Sequence, residues 1–248
     1  MNSQTDEAVV LRLTEYSETS QIATLFGAEH GLIRVIAKGA RRSTKQRFAA
    51  GLDLLELGAV SYVPPRGDAQ LGTLTEWGQR DTFLGLRREL VRLQGGLYAV
   101  ELVNGLTEEG DPHPDLFQAL LKLLHGLAGD EPAGPLVPRF QYALLAAIGY
   151  APELRTCTVC GRLPRAGQPT FFSAGTGGLV CRDCEPHQVE KRRMPRRVSG
   201  PAVAADDVRA WFDLLDYHLT HIAGRRFKTA SVLATLLASV TPGPEARL

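Results

Sequence analysis

With 248 residues, 44% of them hydrophobic and 22% charged, the chain has room for two domains, or for one large domain with a small insert. No apolar run approaches the roughly 18 residues of a membrane span, and residues 1–10 lack the charged and apolar regions of a secretory signal, so a cytoplasmic protein is expected. The formal net charge of +1 argues against bulk attraction to polyanions, but it conceals a segregation: residues 81–150 carry 5 basic and 9 acidic side chains, and residues 151–197 carry 9 and 4.

Residues 1–80 read as strands. Glu7 to Leu13 is β-rich, Ser20 to Phe26 alternates loosely, and a turn from Gly27 to Gly31 leads into Leu32 to Lys38 with period two. Asp53 to Val63 is a further strand pattern, closed by the turn Pro64 to Asp68, and Gln70 to Trp77 is the fifth. Five short strands without a convincing helix fit a small β-barrel. The count does not choose between OB and SH3-like topologies; among such barrels the five-stranded OB-fold is the common nucleic-acid binder.

The pattern changes at Asp81. Leu86, Leu90, Leu93, Leu97 and Val100 form one stripe of an amphipathic helix, which Asp81 or Thr82 is placed to cap and Asn104-Gly105 to end. Asp115 to Leu127 reads as a second helix and Leu136 to Ile148 as a third, stopped by Gly149. Residues 151–197 are rich in Pro, Gly and Arg. Helical patterning resumes at Asp206 or Asp207, with Trp211, Phe212, Leu215, Leu219 and Ile222 on one face; Gly224 breaks it, and Thr229 to Leu237 is the last helix before a frayed tail. The expected organisation is α+β and multidomain: a barrel over 1–80, a helical domain over 81–150 and 198–248, and a module inserted at 151–197.

All four cysteines lie in that insert, as Cys157-Thr158-Val159-Cys160 and Cys181-Arg182-Asp183-Cys184. Two residues between thiolates let one tight turn aim both sulfurs at one ion, and two such turns close a tetrahedral shell around Zn²⁺. Free redox pairs and disulfides are weaker readings in a reducing compartment. Four thiolates fill every position, whereas catalytic zinc keeps one open, so this zinc is expected to be structural. No H-x-E precedes the pairs and neither begins Pro-Cys, which excludes the zinc deaminase pattern. There is no nucleotide-binding loop and no nucleophile triad, and Gly175-Thr176-Gly177-Gly178 opens no helix. His218 and His221 share a helical face but have no carboxylate companion and read as packing. No enzyme is expected.

Two basic clusters point instead to anion binding. Arg34, Lys38, Arg41, Arg42, Lys45 and Arg47 fall within 14 residues free of acids, and Lys191, Arg192, Arg193, Arg196 and Arg197 form the second cluster. Lys38, Arg41, Arg42, Lys45 and Arg47, on a loop between strands, would meet phosphates without reading sequence. Phe48 and Tyr62 are the candidates to stack on bases, while Phe26 reads as core. Arg225, Arg226 and Lys228 follow a helix C-terminus, where cations are favoured in any case.

Tyr16-Ser17-Glu18-Thr19-Ser20, Leu25-Phe26, Gly31-Leu32-Ile33 and Lys38-Gly39-Ala40-Arg41-Arg42, in this order, resemble the opening of the DNA repair protein RecO family, the recombination mediators. The resemblance continues through Leu54 to Leu57, Leu97 to Leu102, and Phe172-Ser173 with Gly177-Gly178 ahead of the second cysteine pair. It ends with His221, Gly224-Arg225-Arg226 and Lys228-Thr229. The basic loop departs from the family in having Ser43-Thr44-Lys45 where a proline-containing turn is usual. The resemblance implies an N-terminal OB-fold, a helical domain and an embedded zinc module. It also implies a cytoplasmic, nucleoid-associated protein that binds single- and double-stranded DNA and anneals complementary strands. With the RecR protein, such a mediator loads RecA onto DNA coated by single-strand-binding protein, whose acidic tail some members contact. A zinc-ribbon RNA-binding transcription or translation factor, and a scaffold that binds only proteins, are the competing readings.

Overall fold

A computed structural model describes residues 3–38, 52–67, 69–195 and 207–240. Period-two alternation builds its first half: β1 (Gln4–Glu15), β2 (Gln21–Gly27), β3 (Gly31–Ala37), β4 (Leu57–Val63) and β5 (Gly72–Asp81). They close a barrel in the order β1-β2-β3-β5-β4, with β4 returning to β1. All pairings are antiparallel except β3 with β5, which meet in parallel at Val35↔Gly72 and Ile36↔Thr73. This OB-like closure is what the strand count alone left open.

Alternate residues Ala8, Val10, Ala23, Leu25, Ile33, Val35, Val60, Tyr62 and Leu74 fill the barrel, and Trp77 lies over Gly58, where a Cβ would strike its ring. The opposite parity of the early strands, Val9, Leu11, Phe26 and Leu32, faces the helices. The register of β1 slips between Val10 and Arg12: Val10 pairs with Leu25 but Arg12 with Thr24. This bulge inserts Leu11 as an extra residue and turns Arg12 outward, where simple alternation from Ala8 would have put it inside.

The second half is helical: α1 (Leu90–Leu106), α2 (Pro114–Ala128), α3 (Ala133–Ala147), α4 (Val208–Ala223) and α5 (Ala230–Val240). Gly149 and Gly224, at φ 81° and 64°, stop α3 and α4 as their positions predict. No helix among the described residues is long and apolar enough to cross a membrane.

Several boundaries differ from expectation: α1 runs through Asn104-Gly105 to Leu106, and β5 continues past Trp77 to Asp81. Asp53 to Glu56 is a turn and not the start of a strand: Leu55 is buried at φ 69°, and the Glu56 carboxylate accepts from the Asp53 N–H (3.2 Å) and from Gln79 (2.6 Å). Asp81 and Thr82 do not cap α1. Asp81 ends β5 and accepts the Phe83 N–H (2.7 Å), and a 3-10 turn (Leu84–Arg88) intervenes, in which Gly85 packs against the Ala128 carbonyl with no room for a Cβ.

Residues 151–195 form a small three-stranded sheet, ordered β7 (Gly178–Val180), β6 (Phe171–Ser173), β8 (Arg192–Arg193). It is not a separate bead. Cys157, Phe172, Leu179, Val180, Cys181 and Met194 are buried in the same continuous core as the helices and the outer face of the barrel.

Candidate metal centre and nucleic-acid surface

Each C-x-x-C pair folds on its own backbone. The Cys157 carbonyl accepts the N–H of Gly161 (2.8 Å), whose φ of 71° turns the first knuckle; the Cys181 carbonyl accepts from Cys184 (3.1 Å) and Glu185 (3.0 Å) in the second. β6 and β7 bring the knuckles face to face, and the Thr158 N–H bonds to the Leu179 carbonyl at 2.8 Å. All four sulfurs lie within 4.8 Å of one another, with Cys160 and Cys181 Sγ 3.9 Å apart. A tetrahedron with metal–sulfur bonds of about 2.3 Å has edges of about 3.8 Å, so the cluster fits a single ion.

The electrostatics agree with the geometry. Hydrogen bonds from the backbone and guanidinium of Arg162 pull Cys160 down to about 6. Burial opposes ionisation of Cys157, but the N–H groups of Cys181, Cys160 and Val159 outweigh it and lower its thiol. Cys184, sharing a hydrogen with Cys181, is pushed up to about 12. Like charges so close do not all ionise alone; a cation among them removes the conflict. Among the described residues this is the one cluster able to hold a metal. His218 is buried instead, its Nε2 3.1 Å from the Tyr150 carbonyl and its ring against Phe172, as the packing reading expects.

The predicted basic residues fall into three groups. Lys38 is exposed just beyond β3. Arg41, Arg42, Lys45 and Arg47, with Phe48, lie outside the described residues, as do Arg196 and Arg197. The remaining three sit on or beside β8. Lys191 pairs with the Glu185 carboxylate and donates to its carbonyl (3.0 Å). Arg192 lies 4.2 Å over the Tyr217 ring and donates to the Asp213 carbonyl (3.2 Å), tying β8 to α4. Arg193 is exposed beside it. Arg225 stacks over Phe227 (5.0 Å) and faces Glu101, while Lys228 gives its N–H to that carboxylate.

Tyr62 is not a stacking platform. It is buried on the inner parity of β4, edge-on to His30, and burial followed by the Asp6 charge pushes its hydroxyl up to about 12.

The structure adds two arginines to the barrel surface. Cross-strand register aligns Arg12, Thr24 and Arg34 in one outward row, with Thr14, Ile22 and Ile36 in the next. Lys38 continues the outward parity of Arg34 along β3. Arg34 is visible in the sequence as the first member of the acid-free cluster; Arg12 is hidden by the bulge.

Both halves of the chain match known families. The model described as Recombination protein O N terminal matches residues 1–83, and the one described as Recombination protein O C terminal matches 87–231. The DNA repair protein RecO of Rhodopirellula baltica is 38% identical over 182 residues, covering 73% of this chain and 67% of that protein. That of Myxococcus xanthus is 31% identical over 246 residues, covering 94% and 98%. That of Salinibacter ruber is 36% identical over 209 residues, covering 84% and 76%.

Proposed function

The chain belongs to the RecO family of DNA repair proteins, and on that premise we propose that it is a recombination mediator. It binds single- and double-stranded DNA, anneals complementary strands, and with RecR helps load RecA onto DNA coated by single-strand-binding protein. It works in the cytoplasm, at the nucleoid, and catalyses no covalent step. The observation that carries this reading is the family match over both the barrel and the helical half, in one chain and in order.

The physical case is electrostatic. Two polyanionic strands repel each other, and a protein that offers two basic surfaces holds both while bases search for register. Lys38, Arg41, Arg42, Lys45 and Arg47 supply the first surface. Arg193, Arg196 and Arg197 supply the second, with Lys191 and Arg192 anchoring their strand to the helical domain. The four cysteines hold one Zn²⁺, favoured by an all-thiolate set. When bound, the ion neutralises thiolate charge and clips the module shut; the chemistry of the site ends there.

The test is strand annealing on DNA coated with single-strand-binding protein, with and without RecR, beside a binding comparison of single-stranded DNA with RNA of equal sequence. Annealing that RecR stimulates supports the reading. A strong RNA preference without annealing sinks it in favour of an RNA-binding zinc-ribbon factor.

A further inference from the structure

The outward face of β1–β3 and the connection between α1 and α2 enclose a groove of about 760 Å³. Arg12, Thr24 and Arg34 form its floor; Thr107, Glu108 and Glu109 form its wall. Lys38 shares the outward parity of β3, four residues or about 13 Å beyond Arg34. In barrels of this strand order, the β2–β3 face is where oligonucleotides lie.

The wall is held in place. α1 ends at Thr107, whose hydroxyl and N–H both bond to the Val103 carbonyl (2.8 and 3.1 Å). β5 pairs only with Val35 and Ile36 of β3, so the earlier part of that edge is free, and the Glu109 backbone bridges to it at Gly31 and Leu32. Gly31, at φ 66°, lets the Asp111 carbonyl approach where a Cβ would collide. The Glu109 carboxylate is thereby delivered to Arg34, 3.2 Å away, both side chains about half exposed at 47% and 51%.

We propose that the backbone of single-stranded DNA lies in this groove and that Arg34 exchanges Glu109 for a phosphate. Glu109 is a built-in phosphate surrogate: in the free protein it occupies the guanidinium, and an entering strand displaces it. The proposal rests on the DNA-binding reading above. An exposed ion pair of this kind is weak, so a strand that brings several phosphate contacts at once displaces it. Glu109 needs no new partner, because it turns into water. The exchange lowers affinity for the strand, which suits a protein that must release its DNA once the bases have paired.

The experiment measures anisotropy of a fluorescent oligothymidylate with the full chain across a salt series, for wild type, Glu109→Gln, Arg34→Gln, the double variant and Arg12→Gln, with melting curves to confirm folding. Glu109→Gln is expected to bind roughly two- to fivefold tighter, the range of an exposed pair. Arg34→Gln binds more weakly, with a salt slope flatter by about 0.7. The double variant matches Arg34→Gln, since the surrogate then has nothing to occupy. Arg12→Gln flattens the slope as well but leaves the effect of Glu109→Gln intact in combination. Binding by Glu109→Gln no tighter than wild type overturns the exchange, and so does a gain that persists without Arg34. A wild type that neither binds single strands nor anneals them overturns the DNA reading itself.

Discussion

Replacing Glu101 by glutamine tests whether the helical domain is stapled end to end. Glu101 lies on α1, yet its carboxylate accepts the N–H of Lys228 (2.8 Å), the N–H of Thr229 (3.0 Å) and the Thr229 hydroxyl (2.6 Å) at the start of α5. These are donors that a helix start leaves without intrahelical partners, so one helix caps another. Burial opposes the charge, but the Thr229 and Lys228 hydrogen bonds outweigh it and hold the carboxyl below its ordinary value. The amide keeps one acceptor oxygen and turns an NH₂ toward the remaining donors, orphaning at least one. Loss of a cap costs about 0.5–2 kcal/mol, and loss of charge assistance at a site 20% exposed adds about 1. The sum, about 1.5–3 kcal/mol, lowers Tm by roughly 3–12 °C for a chain of this size. Because the folded pKa is depressed, the stabilisation is full above the unfolded value and is lost as pH falls through the folded one. The gap between wild type and variant, followed by circular dichroism, is therefore widest near neutrality and narrows by about pH 3. A gap of under about 1 °C at neutrality, or one that widens on acidification, would refute the reasoning.

Cys157→Ala leaves three thiolates and is expected to lower soluble yield and Tm, because Phe172, Leu179 and Val180 share the helical core. The DNA affinity of the folded fraction should stay within about twofold of wild type if the metal only braces the fold; a larger loss gives the metal site itself a part in DNA binding. Wild-type protein purified without added metal should carry about one equivalent of zinc, and less than about half counts against the assignment. Reversing Arg41, Arg42 and Lys45 together to Glu should flatten the single-strand salt slope by about 2, three contacts at about 0.7 each. An unchanged affinity and slope remove that loop from the DNA surface.

Features set by near neighbours in the chain are legible in the sequence; features set by distant partners are not. The metal cluster is legible because C-x-x-C encodes its own turn, and Gly161 and the Cys181 carbonyl complete each knuckle locally. Strands β1–β3 are legible because inward residues recur with period two. Arg12 escapes that logic, since the bulge that turns it outward is a register slip against β2. Tyr62 was within reach, as it shares parity with buried Val60. Asp53 to Glu56 imitates a strand in composition, but Gln79, on β5, bonds to Glu56 and helps hold the turn. Glu101 looks like a solvated helix acid until α5 returns to it. Lys191 and Arg192 belong to a charge run that reads as exposed surface; Glu185 and Tyr217 claim both.

Those last partners bear on how the two basic surfaces proposed above keep a fixed relation. Arg192 joins β8 to Tyr217 and Asp213 on α4. On the same helix, Asp216 accepts from the Tyr98 hydroxyl (2.8 Å), which in turn accepts from Gln141 (2.8 Å), so α4, α1 and α3 meet at one buried polar junction. Burial raises the carboxyl of Asp216, with the Tyr98 hydrogen bond opposing it, and burial raises the Tyr98 hydroxyl too. Neither group gains by leaving the other, since the Tyr98 hydroxyl would lose the acceptor for its proton and the Asp216 carboxylate the donor that offsets its burial. α1 then packs on β1 and β2, the strands that carry Arg12 and Thr24. The path from module to barrel thus runs through packed helices with no flexible linker among the described residues. If annealing requires two strands held at a set spacing, that spacing is a property of the shared core, to which Arg192 ties β8 through α4.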